Sequence, residues 1–332
     1  MIDLSIIIVS YKGYERLQQC LGSLSKLTGT LLTTEVIVVN NCPGDILFNS
    51  VENQYKEFRF IKNKVNGGYA NGCNLGASYA NGSFILILNP DTVITEKSLY
   101  DLLSVAKSNA SFIITTCKQE TENGKQSIAW GPFPGLNSLT GFMRALCRTG
   151  YKSQIRFREE FPANIFFPDW ISGSVVMISA ENYKRLGGFD EDFWMYFEDV
   201  DLCRRARNIG GDIAFCNDIS IEHNHGGSSR INMKTASVTK TEVVISRHIY
   251  INKHKDGIEH FILQAFLVIN TLTSFGFTAL AGIIFFFIPR LFLRTVVYGR
   301  IMEYYLFAFI RGTWLSPRSV NYLKTTLTGS VK

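Results

Sequence analysis

Short, uninterrupted apolar runs alternate with amphipathic stretches along the first two thirds of the chain, and no other feature restricts the fold as much. Leu4–Ser10 (LSIIIVS), Glu35–Val39 and Phe84–Leu88 show no polar face, as strands buried on both sides must. Between them, Leu17, Leu21 and Leu24 recur at helical spacing within Tyr14–Leu27, and Ala70–Ala80 carries Ala, Leu and Cys on one side. Phe58–Ile61 reads as a short strand, Ser98–Lys107 as a helix and Phe112–Thr116 as a strand again. Further on, Ser174–Ile178 reads as a strand and Ala180–Leu186 as a short helix. A second helix spans Asp199–Ile209, followed by short strands at Ile213–Phe215 and Ile219–Glu222. This succession predicts an α/β layer with a mostly parallel central sheet. Thr121 to Asp169 lacks a period and reads as a loop region over a substrate cleft.

The 332 residues suffice for one large domain plus an accessory segment, here 1–230 and 231–332. A hydrophobic share of 46% argues against a chain dominated by disorder. The net charge of +6 is uneven, because the stretch after Arg230 is rich in Lys and Arg. That favours an anionic partner near the C-terminus, a membrane surface or nucleic acid. With no zinc-finger spacing and no short basic repeat interleaved with aromatics, nucleic acid is disfavoured. Seven cysteines without a CxxC pair fit scattered thiols in a reducing compartment better than a disulfide framework. The first residues, MIDLSIIIVSYKG, lack the charged start and long apolar run of a signal peptide.

From Phe261 to Pro289 there is no charged side chain, and roughly 20 apolar residues are enough to cross a bilayer. Lys253 and Lys255 flank one end, Arg290 and Arg294 the other, so no orientation is selected. A re-entrant hairpin or in-plane helix fits as well as a crossing, and a basic amphipathic pattern continues through Leu291–Trp314. The plain alternative is a buried helical subdomain or an oligomer interface.

Four segments carry candidate chemistry. Leu186–Arg205 (LGGFDEDFWMYFEDVDLCRR) mixes six carboxylates with five aromatic rings, the composition of an active-site wall with a base and a hydrophobic lid. Leu86–Asp91 (LILNPD) ends a strand on Asn89 and Asp91, where α/β proteins bind ligands, and Asp91 suits Mg²⁺ or Mn²⁺. It is equally an Asn-Pro-Asp turn. Asn63–Gly76 (NKVNGGYANGCNLG) sets Asn66, Gly67 and Gly68 before a helix, an arrangement suited to phosphate or simply to a turn. It is not GxGxxG, which disfavours a dinucleotide site. Ile221–Ser229 (IEHNHGGSS) offers His223 as a metal ligand or a structural histidine, with a Gly-Ser loop (Gly226, Gly227, Ser228, Ser229) to cover a phosphate.

In this order, IIIVSYKG, VIVVNNCPGD, NGGYANGCNLG, LILNPDT, WISGSVVMIS, GGFDEDFWMYFEDVDLCRR and HNHGGSS resemble the inverting glycosyltransferase family 2, in its rhamnosyltransferase-like branch. The resemblance covers about Leu4 to Ser229 and implies a GT-A nucleotide-sugar-binding fold followed by a C-terminal helical, membrane-associated segment. It implies that Ser10, Tyr11 and Asn40 border the nucleotide base, that Asn66, Gly67, Gly68 and Asn89 line the donor site, and that Gly173 and Ser174 approach the donor sugar. Asp91 matches the last acid of the family's DxD-type metal motif, His223 its later metal-binding histidine, and Asp199 its catalytic base. An acid at that position is also suited to cap its helix. Glu198, Trp170 and Trp194 are assigned to the acceptor or sugar, the two tryptophans being equally suited to fill core; Asp201 and Glu191 read as helix-dipole or loop-ordering groups. The chain departs from the family at Asn40, usually Asp, and at Asn89, which replaces the first acid of DxD. One charge fewer implies a metal held mainly by the donor diphosphate.

The activity so implied is transfer of a sugar from a nucleotide-diphospho-sugar (dTDP-rhamnose or a UDP-sugar) to a hydroxyl of a lipid-linked glycan, in cell-surface polysaccharide synthesis. A divalent metal serves as cofactor. The expected partners include a membrane surface, met through residues 261–315, and the location is the cytoplasmic face of a bacterial inner or plasma membrane, peripheral or monotopic. The alternative is a non-catalytic, membrane-tethered nucleotide- or glycan-binding relative.

Overall fold

The computed structural model describes residues 2–27, 31–135, 157–224 and 232–328, the last four by backbone alone. They form two compact units. The first comprises Met1–Phe133, Thr149–Asp190 and Glu198–Ser228; the second gathers Glu191–Phe197 and Ser229–Lys332 with Pro134–Arg148.

The first unit is built on a sheet whose strands are β1 (Leu4–Ser10), β2 (Thr34–Asn40), β3 (Arg59–Lys62), β4 (Phe84–Leu88), β5 (Thr92–Val93), β6 (Phe112–Glu120), β11 (Val175–Ser179) and β12 (Asp212–His223). Their spatial order is β3-β2-β1-β4-β11-β6-β12-β5. β3, β2, β1 and β4 are mutually parallel, as are β6 and β12, while β11 runs antiparallel between β4 and β6. Short strands β7 (Gln126–Ser127), β8 (Trp130–Gly131), β9 (Ile165–Phe166) and β10 (Trp170–Ile171) occupy parts of the region expected to be loop; 136–156 lies outside the described residues.

Helices cover both faces, which is why the apolar runs have no polar side. Leu4, Ile6 and Ile8 pack with α1 (Tyr14–Leu24), α2 (Phe48–Gln54) and α4 (Glu96–Ser108). Ile7 and Val9 point the other way, toward α3 (Gly68–Ala77), α5 (Ala180–Leu186) and α6 (Glu198–Asn208). Thr95 caps α4 by accepting the Ser98 N–H at 3.1 Å. The two strands expected at Ile213–Phe215 and Ile219–Glu222 are one, β12, because three residues loop out between Cys216 and Ser220 without ending its pairing with β6. β6 itself runs four residues past Thr116, and helix α2 had no legible period.

The glycine motif has a packing role as well. A Cβ on Gly72 would lie 2.6 Å from Val9 Cγ1, and one on Gly76 2.4 Å from Ile7 Cγ2. The missing side chains let α3 lie close on β1. Alanine is the better helix former by about 1 kcal/mol, but overpacking a filled core costs about 1–3 kcal/mol. Gly76→Ala is expected to destabilise this unit in urea or thermal melts, whereas Gly44→Ala, with open space around it but φ +75°, would suffer only backbone strain.

The second unit is helical: α7 (Met233–His254), α8 (Gly257–Ile284), α9 (Pro289–Arg311) and α10 (Val320–Thr328). α7, absent from the sequence reading, forms its centre. Buried Glu242 pairs with Arg318 at 2.9 Å and accepts from Ser316. His248 stacks on Trp314 with centroids 4.5 Å apart and bonds Tyr305 and Gln264. α8 and α9 pack as a pair, Gly282 abutting the Leu291 backbone and Thr295 donating to the Ala279 carbonyl at 2.8 Å. Among the described residues α8 is the one helix long and apolar enough to cross a membrane, and 22% of its most apolar stretch is buried.

Candidate active site

Parallel strands end together, so the carboxyl ends of β1, β2 and β4 form one edge of the sheet, the usual ligand crevice of α/β proteins. Ser10 is the buried last residue of β1, followed by half-buried Tyr11. Asn40 ends β2, and its Oδ1 accepts the Cys42 N–H at 2.9 Å, leaving one lone pair on that oxygen. Asn41 and Asn63 extend this edge: Asn41 donates to the Gly68 carbonyl at 2.7 Å, and Asn63 donates to Asn41 at 2.8 Å and Asn71 at 2.9 Å. Asn66 accepts the Gly68 N–H at 3.1 Å, and Gly68 takes φ +90°, a conformation for glycine, so the Asn66–Gly67–Gly68 turn opens α3.

Antiparallel pairing of β11 with β4 sets Val175 opposite Leu88. Gly173 and Ser174 therefore lie beside Asn89, whose N–H donates to the Ser174 carbonyl at 2.9 Å. The Tyr69 hydroxyl lies 3.0 Å from Asn89 Oδ1 and 2.9 Å from the Gly173 carbonyl. Gly173 N–H donates to Asp199 Oδ2 at 2.8 Å, and Val200 N–H to Asp199 Oδ1 at 2.8 Å. A Cβ on Gly173 would sit 3.3 Å from Asp199 Cβ. On the other side, β12 pairs antiparallel with β5, His223 opposite Thr92, which sets His223 Nε2 3.1 Å from Asp91 Oδ1. His223 Nδ1 lies 2.7 Å from Gln119 Oε1, which also accepts from Ser174 Oγ at 2.8 Å. Asp199 and Asp91 are thus joined through neighbours Gly173 and Ser174.

The acids at the start of α6 differ from each other. Burial raises Glu198 well above its ordinary range, with the charge of Asp199 adding to it. Burial also raises Asp199, but three backbone N–H groups, Gly173 and Val200 among them, oppose the shift. Glu198 therefore holds its proton to higher pH, and Asp199 ionises first. Tyr196 and Phe197, immediately before them, adopt φ +70° and +67°. Such conformations cost about 1–3 kcal/mol each and cluster at functional sites.

The acidic and aromatic run does not act as one wall. Asp192 pairs with Lys253 at 2.5 Å and bonds Asn321, and Glu191 approaches Lys324, all within the second unit. Asp201, read as a helix-dipole group, is buried and paired with Arg205 at 2.7 Å. Trp194 is buried in the second unit. Trp170 donates its indole N–H to the Pro132 carbonyl at 2.6 Å and packs against Gly131. Gly226, Gly227, Ser228 and Ser229 lie outside the described residues. Tyr69 and Gln119 were missed: Tyr69 sits inside a recognised motif, but nothing local distinguishes Gln119. No group of three His, Cys, Asp or Glu gathers as a metal site among the described residues. A carboxylate facing a ring nitrogen does fit a hard cation that completes its shell with water and phosphate oxygens.

Residues 5–157 match the family model described as glycosyl transferase family 2, and residues 161–225 the model described as N-terminal domain of galactosyltransferase. The chain carries a family 2 glycosyltransferase domain. This glycosyltransferase is 27% identical over 226 residues to the low-salt glycan biosynthesis hexosyltransferase Agl10 of Haloferax volcanii, covering 67% of each chain. It is 24% identical over 183 residues to rhamnosyltransferase WbbL of Escherichia coli, covering 52% of this chain and 67% of that one. It is also 24% identical over 233 residues to an N-acetylglucosaminyl-diphospho-decaprenol L-rhamnosyltransferase of Mycobacterium tuberculosis, covering 62% and 71%. The crystal structure of GalNAc-T7 with UDP, GalNAc and Mn2+ superposes with a TM-score of 0.57 at 15% identity, over 77% of this chain and 50% of that one. That of S. aureus TarS 1-349 gives 0.50 at 16%, over 83% and 74%. At such identities the likeness shows the GT-A fold. The glycosyltransferase belongs with enzymes of glycan synthesis.

The shift of Glu198 has a measurable consequence. Between the ordinary carboxylate value and its raised folded value, the native state holds a proton that the unfolded chain has lost, so stability falls as pH rises. Glu198→Gln is expected to melt like the wild type near pH 4 and above it at pH 7 to 8. Parallel melting curves across that range would show that Glu198 is not a buried, protonated acid.

Proposed function

We propose that the glycosyltransferase is an inverting enzyme that moves a sugar from a nucleotide-diphospho-sugar, dTDP-rhamnose or a UDP-sugar, to a hydroxyl of a lipid-linked glycan. The carrying observation is Asp199. It is half-buried, held by the Gly173 N–H beside Ser174, and flanked by a buried acid that keeps its own proton. In this reading Asp199 takes the acceptor hydroxyl proton as that oxygen attacks the anomeric carbon. The bond from that carbon to the diphosphate oxygen breaks on the opposite face, the nucleoside diphosphate leaves with the electron pair, and the configuration inverts. Asp91 and His223 would hold a divalent metal, Mg²⁺ or Mn²⁺, which when bound neutralises charge on the diphosphate. Ser10, Tyr11 and Asn40 border the base, and Asn66, Gly67, Gly68 and Asn89 the donor. Retention of Asp91, Asp199 and His223 favours an enzyme over a non-catalytic binding relative. The mycobacterial relative's name, with its diphospho-decaprenol, supports a lipid-linked acceptor.

Asp199→Asn is expected to lower transfer by about 10²-fold or more while UDP or dTDP binding with Mn²⁺ persists. Asp91→Ala is expected to weaken metal-dependent donor binding. Because burial raises Asp199, kcat/KM should fall with decreasing pH along a limb above the ordinary aspartate range. Unchanged transfer in both variants would remove the assigned roles, and nucleotide binding without donor turnover in the wild type would favour the binding relative.

The proposed location is the cytoplasmic face of a bacterial inner membrane. Six described cysteines are free thiols, in keeping with a reducing compartment. The second unit exposes Phe277 (76%), Leu280 and Ile284 on α8 and Phe309 (87%) and Ile310 on α9. Exposed apolar surface of that extent marks an interaction site. A cavity of about 400 Å³ between α7, α8 and α9 is lined by Lys240, Arg247 and Arg294 and by no carboxylate, which suits anionic headgroups. Flotation assays should show the full chain rising with phosphatidylcholine vesicles, and more tightly, in a salt-sensitive way, once phosphatidylglycerol is added. A chain that stays with the soluble fraction in both cases has its apolar helices packed against protein instead.

A further inference from the structure

Gln119 is 1% exposed, on the part of β6 that extends beyond the apolar run. Its Oε1 lies 2.8 Å from Ser174 Oγ and 2.7 Å from His223 Nδ1. We propose that Gln119 is a positioning residue: it fixes the tautomer of His223 and ties the Asp91–His223 pair to the segment that holds Asp199. The proposal rests on the reading of those residues given above.

An amide oxygen only accepts, so both of its neighbours must donate. Ser174 gives its hydroxyl proton, and Ser172 Oγ, 3.1 Å from Ser174 Oγ, is left as the donor in that pair. His223 gives an Nδ1 proton. In the neutral ring the lone pair is then on Nε2, 3.1 Å from Asp91 Oδ1. A lone pair facing a carboxylate repels it unless a cation lies between them, so this tautomer is the one that serves a metal. The opposite tautomer would put an N–H against Asp91 and close the pair. Histidine ligands commonly have their second nitrogen fixed by such an acceptor.

The same amide carries a cost. Gln119 Nε2 is buried with no hydrogen-bond partner among the described residues. Leaving such a donor unsatisfied costs about 1–3 kcal/mol, and an apolar side chain of the same shape avoids it. What glutamine supplies in return, and an apolar side chain of that shape does not, is the acceptor shared by Ser174 and His223. The tie also reaches the base. Ser174, whose hydroxyl bonds Gln119, accepts the Asn89 N–H through its carbonyl, and its neighbour Gly173 donates to Asp199 Oδ2. A shift of Gln119 therefore reaches Asp199 through Ser174 and Gly173, and Asp91 through His223.

Gln119→Met keeps length and shape and removes the acceptor. It is expected to melt at or above the wild-type temperature, yet to lose about 10–100-fold in Mn²⁺ affinity, read by electron paramagnetic resonance titration in the presence of UDP or dTDP. Gln119→Glu, which keeps an acceptor toward Nδ1, should retain wild-type Mn²⁺ affinity. In wild-type protein without metal, ¹⁵N NMR should find the His223 proton on Nδ1, and Gln119→Met should move it toward Nε2. A wild-type proton on Nε2, or a Met variant with unchanged tautomer and unchanged Mn²⁺ affinity, overturns the proposal. Wild-type protein that binds no Mn²⁺ with either nucleotide overturns the metal reading; the tautomer comparison then still decides whether Gln119 orients His223.

Discussion

The antiparallel insertion of β11 between β4 and β6 is the constraint on which the site depends. Had the sheet continued parallel, residues 173 and 174 would lie at its opposite edge. Because β11 reverses, its first residues meet the last residues of β4, and one backbone segment touches Asn89, Gln119, Tyr69 and Asp199 together. Everything proposed about donor, metal and base uses this meeting point.

Around that point the fold accepts local costs. Glu198 is buried with one oxygen unpartnered, Gln119 has an unpartnered amide nitrogen, and Tyr196 and Phe197 hold left-handed backbone. Backbone strain and unsatisfied buried polar groups are features that functional sites share. Burial raises both Glu198 and Asp199, and the backbone N–H groups around Asp199 oppose its shift.

The second unit meets different demands. Its interior combines apolar clusters around Val244, Val297 and Ile301 and around Ile251, Leu263 and Leu267 with a bonded polar set of Glu242, Arg318, His248 and Gln264, while further apolar surface faces outward on α8 and α9. Exposed apolar surface of that extent marks an interaction site. Lys240, Arg247 and Arg294 line the unit's cavity.

Local sequence determined the sheet strands and the order of the first unit's main elements. Two-sided burial leaves runs such as LSIIIVS and FILIL with no other stable conformation, and Asn89-Pro90-Asp91 stops β4 where it must end. It also marked Asp91, Asp199 and His223 as chemistry-bearing groups. Tertiary structure decided which of them meet. The bulge that keeps β12 continuous carries His223 to Asp91, and no local signal encodes it, since looped-out residues look like a strand end. Gln119 acquires meaning only through contacts 55 and 104 residues away. The acidic and aromatic run looked uniform because composition is blind to direction: Asp192 and Glu191 are drawn to lysines of the C-terminal helices, and two residues at its helical end reach the crevice. Periodicity reports which face of an element is buried; only the assembled chain reports what it is buried against.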